Sequence, residues 1–210
     1  MKTMQEPTSG KFITLEGIDG AGKSTHVNAI ANWLRHRGHE VVVTREPGGT
    51  VLGEQMRSLV LGQPMDAITE ALLMFAARRE HLIQVIRPAL LKGTWVLSDR
   101  FSDASHAYQG GGRGVAAFAL QWLDDWTTEG LAPDLTFLFD VSPEVAQRRL
   151  SLNTPHPDRF EKEQAIFFER VRNAYLSRAS MYPERFCILD AEASPDKVFS
   201  RMLDTLSVLA

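Results

Sequence analysis

The sequence predicts an α/β fold, a parallel sheet layered between helices. Two observations carry this. Short apolar runs alternate with longer stretches of helical pattern along the 210 residues. The runs are rich in Val, Ile, Leu and Phe without clean polar alternation, as in strands buried on both faces. Strands that alternate in this way with helices join through right-handed crossovers and carry function in the loops at their carboxyl ends.

The elements follow in order. "KFITLE" (11–16) is the first strand, and a glycine-rich loop and a helix over 24–37 come after it. "EVVVTR" (40–45) is the second strand. Residues 68–91 read as helical, with Leu72, Phe75, Leu82, Val85 and Ile86 as their apolar positions. "TWVLSD" (94–99) is the third strand, and 115–129 a helix with Leu120, Leu123 and Trp126. "LTFLFDV" (135–141) and "RFCILD" (185–190) complete five strands. Ser142-Pro143-Glu144 and Ser194-Pro195-Asp196 each read as the cap and first turn of a helix.

Bulk composition narrows the class. The length suits one domain with a full core. The chain is 44% hydrophobic and 23% charged, as expected of a soluble globular protein. Its net charge of -3 gives no basic field for nucleic acid. Cys187 is the single cysteine, so no internal disulfide forms. No run approaches the roughly 18 apolar residues of a membrane span. Residues 1–10 lack an apolar signal core and read as a flexible leader to a domain over 11–210. The expectation is a cytoplasmic, enzyme-sized domain with no membrane span and no nucleic-acid partner.

Gly17-Ile18-Asp19-Gly20-Ala21-Gly22-Lys23-Ser24 matches G-x-x-x-x-G-K-[ST] in full, and Thr25 follows. The bare pattern arises by chance in roughly one chain of this length in a hundred. A strand before it and a helix after it are the context it requires. The glycines let backbone N–H groups turn toward phosphate oxygens, and the helix adds its positive end. Lys23 is placed for the β- and γ-phosphates of a nucleotide and Ser24 for Mg²⁺. An Asn-Lys-x-Asp guanine reader is missing from the sequence.

The acceptor has to be read elsewhere. "SDR" closes an apolar strand, so Asp99 and Arg100 emerge at its carboxyl end, where an acid organises Mg²⁺ and an arginine forks onto phosphate. Phe75 and Arg79 are four apart on a helix and share one face. Spacing alone leaves two readings: a ring and guanidinium for a pyrimidine, or a core ring and a solvated arginine. Arg78 differs from Arg79 by a one-residue slip. Six histidines show no metal-ligand spacing, the methionines including Met74 read as packing, and Trp33, Trp95, Trp122 and Trp126 as core or interface.

"FITLEGIDGAGKST", "TREPGGT" (44–50), "LLMFAARREH" (72–81), "SDRF" (98–101) and "AYQGGGRG" (107–114) occur in this order and spacing. Together they resemble the bacterial thymidylate kinases, from about Phe12 to the last helix. The resemblance implies a P-loop NTPase three-layer fold: a five-stranded parallel sheet with helices on both faces and a mobile lid. It implies transfer of the ATP γ-phosphate to dTMP, giving dTDP on the way to dTTP for DNA synthesis, usually by a homodimer. By resemblance Arg100 contacts the dTMP phosphate with Arg45 near it, and Glu46 and the Pro47-Gly48-Gly49 turn shape the same loop. Phe75 and Arg79 take the thymine ring, Ser105 and Gln109 its edge, Tyr108 the sugar C2′ region and Asp19 the 3′-hydroxyl.

The lid falls at about 148–161, around "LSLNTPHPD". Ala21 stands where some relatives carry a basic residue in the loop, and such chains lacking it draw an arginine from the lid. Arg149 is the first candidate, Arg159 the second, and Arg148 a weaker one.

Overall fold

The computed structural model describes residues 10–153, 158–161 and 163–209. The residues expected to form a flexible leader, Gly10 apart, lie outside this set, as does the middle of the expected lid, 154–157.

Five strands form one parallel sheet: β1 (Phe12–Glu16), β2 (Val41–Arg45), β3 (Trp95–Asp99), β4 (Leu135–Asp140) and β5 (Phe186–Asp190), in the order β2-β3-β1-β4-β5. All five residues of β1 are buried, as a central strand requires. Its two polar members are paired: the hydroxyls of Thr14 and Thr136 meet at 2.9 Å, and Glu16 accepts from Phe101 N–H. β2 lies at an edge and is half-exposed.

Helix α1 (Lys23–His36) follows the glycine loop and buries Ile30, Ala31 and Leu34 in the main core with Ile13, Leu15 and Phe137. Helix α2 (Val51–Gly62) was not legible in the sequence. Its start is fixed by Thr50, whose hydroxyl accepts from Gly53 N–H at 2.9 Å. The stretch 68–91 is not one regular helix. Helix α3 (Ala67–His81) runs into a π-helical turn (Leu82–Ile86) and then α4 (Arg87–Leu91). Pro88 supplies the reason: it lacks an N–H for the carbonyl of Gln84, and its ring crowds that carbonyl, so the turn widens. Leu72, expected on the apolar face, is exposed instead.

After β3 come the short helix α5 (Ser102–Ser105), a second π-helical turn (His106–Gly112) and α6 (Ala117–Thr128). "QGGG" has a packing cause. A Cβ on Gly111 would stand 2.6 Å from the Ala174 Cβ, and one on Gly112 2.5 Å from the Phe167 ring. Both contacts come from α8 (Ala165–Met181), a helix the sequence did not announce, which packs closely on this turn. Helices α7 (Pro143–Asn153) and α9 (Pro195–Leu209) start at the expected Ser-Pro signals. Trp122 and Trp126 meet at a tilt of 36° with ring centroids 5.1 Å apart yet are 61% and 67% exposed, so they belong to a surface rather than the core. Among the described residues, no helix is long and apolar enough to cross a membrane.

Candidate active site

Strand register brings three loops together. Leu15 pairs with Asp99, and Asp99 with Arg45, so β1, β3 and β2 end in one row. The glycine loop leaves β1 at that row. Gly20 and Gly22 hold φ of +81° and +94°, a backbone that side chains resist, and Gly22 caps α1. Above the loop lies a cleft of about 520 Å³ lined by Asp19 through Thr25, with Arg45, Asp99, Arg100 and Arg149 on its walls. Gly17 and Ile18 lie deeper, against Phe139. Their carbonyls each accept from the Lys23 ammonium at 3.0 Å, which leaves one of its three N–H groups for the cleft. Burial and the nearby Arg100 hold that ammonium below its ordinary pKa, against the pull of Asp99, Asp19 and Glu16.

Arg100 is the centre of the arrangement. Its φ is +73°, a conformation that costs a non-glycine residue about 1–3 kcal/mol. Three bonds hold that turn. Arg100 N–H donates to the Leu15 carbonyl at 3.0 Å, the Ser98 hydroxyl donates to the Arg100 carbonyl at 2.7 Å, and Phe101 N–H donates to Glu16 Oε1 at 2.7 Å. The guanidinium donates to Asp19 Oδ1 at 2.7 Å, to the Tyr108 hydroxyl at 3.0 Å and to the Tyr175 hydroxyl at 2.9 Å. It also lies 4.7 Å over the Tyr108 ring.

The charges here set one another. Burial pushes the Asp19 carboxyl up, but Arg100, Lys23 and the Tyr108 hydroxyl outweigh it, and the group sits below its ordinary value. Burial raises the Tyr108 and Tyr175 phenols well above theirs, so both remain donors. Tyr108 accordingly donates to Asp19 Oδ2 at 2.9 Å, and Tyr175 to Glu16 Oε2 at 2.8 Å. Burial, with Asp103 adding to it, pushes Glu16 to about 8 despite Arg100, Tyr175 and the Phe101 N–H. Asp99 differs from these: its Oδ1 is buried and has no hydrogen-bond partner among the described residues.

A smaller cavity of about 70 Å³ adjoins the cleft and shares Asp19, Glu46, Arg57 and Arg100 with it. Met74, Ala104, Tyr108 and Gln109 form its inner wall. Met74 is therefore more than packing. Arg57 comes from α2 and was missed with it; its guanidinium donates to the Pro47 carbonyl at 3.1 Å.

Behind this wall the structure separates two neighbouring arginines. Arg78, not Arg79, is the buried arginine of α3. Its Nε donates to Glu46 Oε2 at 2.8 Å, and its Nη2 to the Ser105 hydroxyl at 2.9 Å and the Phe101 carbonyl at 3.0 Å. Arg78 lies 4.7 Å over the Phe75 ring, and its Nη1 is buried with no partner among the described residues. Arg79 turns outward to the Thr127 carbonyl and to Glu129. Positions three and four away share a helix face equally well, and a one-residue step rotates a side chain by about 100°. Spacing could not choose between them. Phe75 is buried beside Ala71 and Leu120 and is not on the cavity wall. Ser105, also fully buried, accepts from Arg78 instead of lining the cavity itself. Glu46 anchors this region as well, since His81 Nδ1 lies 3.0 Å from its Oε1.

The lid candidates separate. Arg149 Nη1 reaches within 3.9 Å of where a Cβ on Gly22 would stand, and Nη2 donates to the Ala191 carbonyl at 2.9 Å. Arg159 faces away from the cleft, donating to the Val60 carbonyl at 3.0 Å and pairing with Glu70. Arg148 is exposed. Arg45 lines the cleft and pairs with Glu54 at 2.9 Å.

A sequence model described as thymidylate kinase matches residues 15–202. A thymidylate kinase of Thiobacillus denitrificans is 58% identical over 201 residues, covering 94% of this chain and 98% of that protein. One of Cupriavidus pinatubonensis is 55% identical over 202 residues, covering 95% and 99%. The crystal structure of thymidylate kinase from Ehrlichia chaffeensis superposes with a TM-score of 0.76 at 33% identity, covering 96% of this chain and 99% of that one. A phosphate-binding loop, a strand-end Asp-Arg pair beside it, and similarity over nearly the whole length agree: the chain belongs to the thymidylate kinase family.

Proposed function

We propose that this chain transfers the γ-phosphoryl group of ATP to dTMP, giving dTDP, with Mg²⁺ on the donor phosphates. One observation carries the reading. The glycine loop and Lys23 share a cleft with Arg100, and this cleft adjoins a cavity lined by Gln109; Gln109 Oε1 and Arg78 Nη1 are a buried acceptor and a buried donor without partners among the described residues. Phosphate at one end and a pyrimidine edge at the other describe a nucleoside monophosphate.

The roles follow from placement. Backbone N–H groups of residues 19–25 and Lys23 bind the ATP phosphates. Asp99 Oδ1, without a partner among the described residues, and the Ser24 hydroxyl on the same cleft suit a hard cation, so these residues would hold Mg²⁺, which supplies charge neutralisation when bound. Arg100, held by Asp19, Tyr108 and Tyr175, orients the acceptor phosphate, with Arg45 and Arg57 on the same wall. Asp19 accepts from the 3′-hydroxyl, and Tyr108 crowds the sugar at C2′. Arg78, lying over Phe75 and fixed by Ser105, takes the role first given to Arg79. Arg149 stabilises the transferring group from the lid side, where Ala21 offers no charge. The acceptor phosphate is already anionic near neutral pH, so catalysis is positioning and electrostatics, with no general base.

The chain works as a cytoplasmic homodimer. Helices α2, α3 and α6 lie side by side and expose Leu59, Ile68, Leu72, Phe118, Trp122 and Trp126. Such a row of large apolar side chains is what a second copy covers.

The test is kcat/KM for dTMP, dUMP, dCMP and ribo-TMP with ATP and Mg²⁺. One methyl in an apolar pocket is worth roughly 10–200-fold, so dUMP lags moderately behind dTMP. Against dCMP, donors and acceptors meet their own kind, and discrimination is larger. Parity of dCMP or a purine monophosphate with dTMP overturns the thymidylate reading.

A further inference from the structure

Gln109 is fully buried and lines the small cavity. A glutamine amide can present either its oxygen or its NH₂ group, and the neighbours decide which. Here Nε2 donates to Glu70 Oε1 at 2.8 Å. Glu70, on α3, is itself fully buried, and its other oxygen is paired with Arg159 and lies 3.5 Å from Arg113 Nε. Ion-paired in this way, Glu70 offers only acceptors. It therefore takes the NH₂ end of Gln109 and leaves Oε1, which is buried and has no partner among the described residues.

We propose that Glu70 is a specificity-positioning residue: by fixing the orientation of the Gln109 amide it makes the cavity select a 4-oxo pyrimidine bearing an N3–H and reject a 4-amino one. The inference rests on the reading that the acceptor base occupies this cavity. A buried acceptor with no partner is costly, and an incoming N3–H satisfies it. The N3 of cytosine is an acceptor and would face Oε1 as a second acceptor. Arg78 Nη1, a buried donor, suits the neighbouring O4 of thymine and would oppose the amine of cytosine. Gln109 alone could turn over to accommodate cytosine. Glu70 prevents this, because the turned amide would set its oxygen against a carboxylate.

The experiment compares kcat/KM for dTMP, dCMP and N3-methyl-dTMP in the native protein and in Glu70→Gln. An amide at position 70 both donates and accepts, so it tolerates either orientation of Gln109. The dTMP-to-dCMP ratio is expected to fall by at least about tenfold, with the KM for ATP unchanged. General damage to the fold would lower both substrates together and leave the ratio where it was. A ratio unchanged in folded Glu70→Gln overturns the role of Glu70. Because that variant leaves Arg159 and Arg113 facing a neutral group, Glu70→Asp serves as the second variant. It keeps the charge and shortens the reach to Gln109, and the same criterion applies to its ratio. Failure of the underlying reading looks different: the native protein itself would accept N3-methyl-dTMP or dCMP as readily as dTMP.

Discussion

The two ends of the proposed nucleotide site are built on opposite principles. At the phosphate end, Lys23, Ser24, Asp99 and Arg149 line an open cleft of about 520 Å³, and backbone carbonyls and loop glycines hold them. At the base end, Arg78, Glu46, His81, Gln109 and Glu70 are all buried around a cavity of about 70 Å³, and they hold one another. An open set of charges is ready for a charged ligand and depends little on any single neighbour. A closed set would read a neutral ring through the few atoms left without partners among the described residues, and each member leans on the next. Loss of a residue should therefore cost activity at the first end and both stability and selectivity at the second.

Arg78→Ala tests the closed end most severely. It leaves Glu46 with His81 but without its buried arginine, and breaking such a pair typically costs about 3–5 kcal/mol. Arg79→Ala, one residue away, removes a partly exposed pair with Glu129 worth at most about 1 kcal/mol. Denaturant unfolding of the two variants should differ by that margin, with dTMP selectivity kept in the Arg79 variant. Equal losses would erase the distinction between the buried and outward arginines.

Lys23→Ala probes the open end. Removing one preorganised charge from a transferring phosphate typically lowers kcat by about 10²–10³. Its unfolding midpoint should stay close to native, since the cleft side of this lysine is built for ligand. A folded variant with near-native turnover would remove the loop lysine from the chemistry.

A third test lies between the two ends, at Glu16, which supports the Arg100 turn. The native group keeps its proton up to about pH 8, mainly through burial, whereas an unfolded glutamate releases it near 4.5. Between those values the native state binds more protons, so this group's contribution to stability is full below about 4.5 and is lost as pH rises toward 8. Glu16→Gln has no proton to lose and should flatten stability against pH across that window. An unchanged slope would show that Glu16 is ionised in the native state.

The phosphate end was legible because its signals are local. Gly17 to Ser24 are contiguous, and a strand before and a helix after fix their geometry with little help from the rest of the chain. Asp99 and Arg100 needed one further step, that they close an apolar strand. The base end could not be read so directly. Choosing Arg78 over Arg79 depends on how α3 is rotated against Glu46 and Ser105, and both neighbours are distant in sequence. Arg159 shows the same limit, since its partner Glu70 lies 89 positions away. Helix α8 escaped notice because its apolar residues are interleaved with arginines whose partners, such as Asp103 for Arg178, lie on other elements.

The sequence by itself determined the parallel α/β architecture, the phosphate loop and the family, because period, glycine placement and contiguous motifs are properties of short stretches. Only the tertiary structure decided which arginine of α3 is buried, which way Gln109 presents its amide and which lid arginine reaches the loop. Those choices turn on side chains meeting across long separations in a low-dielectric interior, where a rotation of one residue or a half-turn of an amide exchanges a donor for an acceptor.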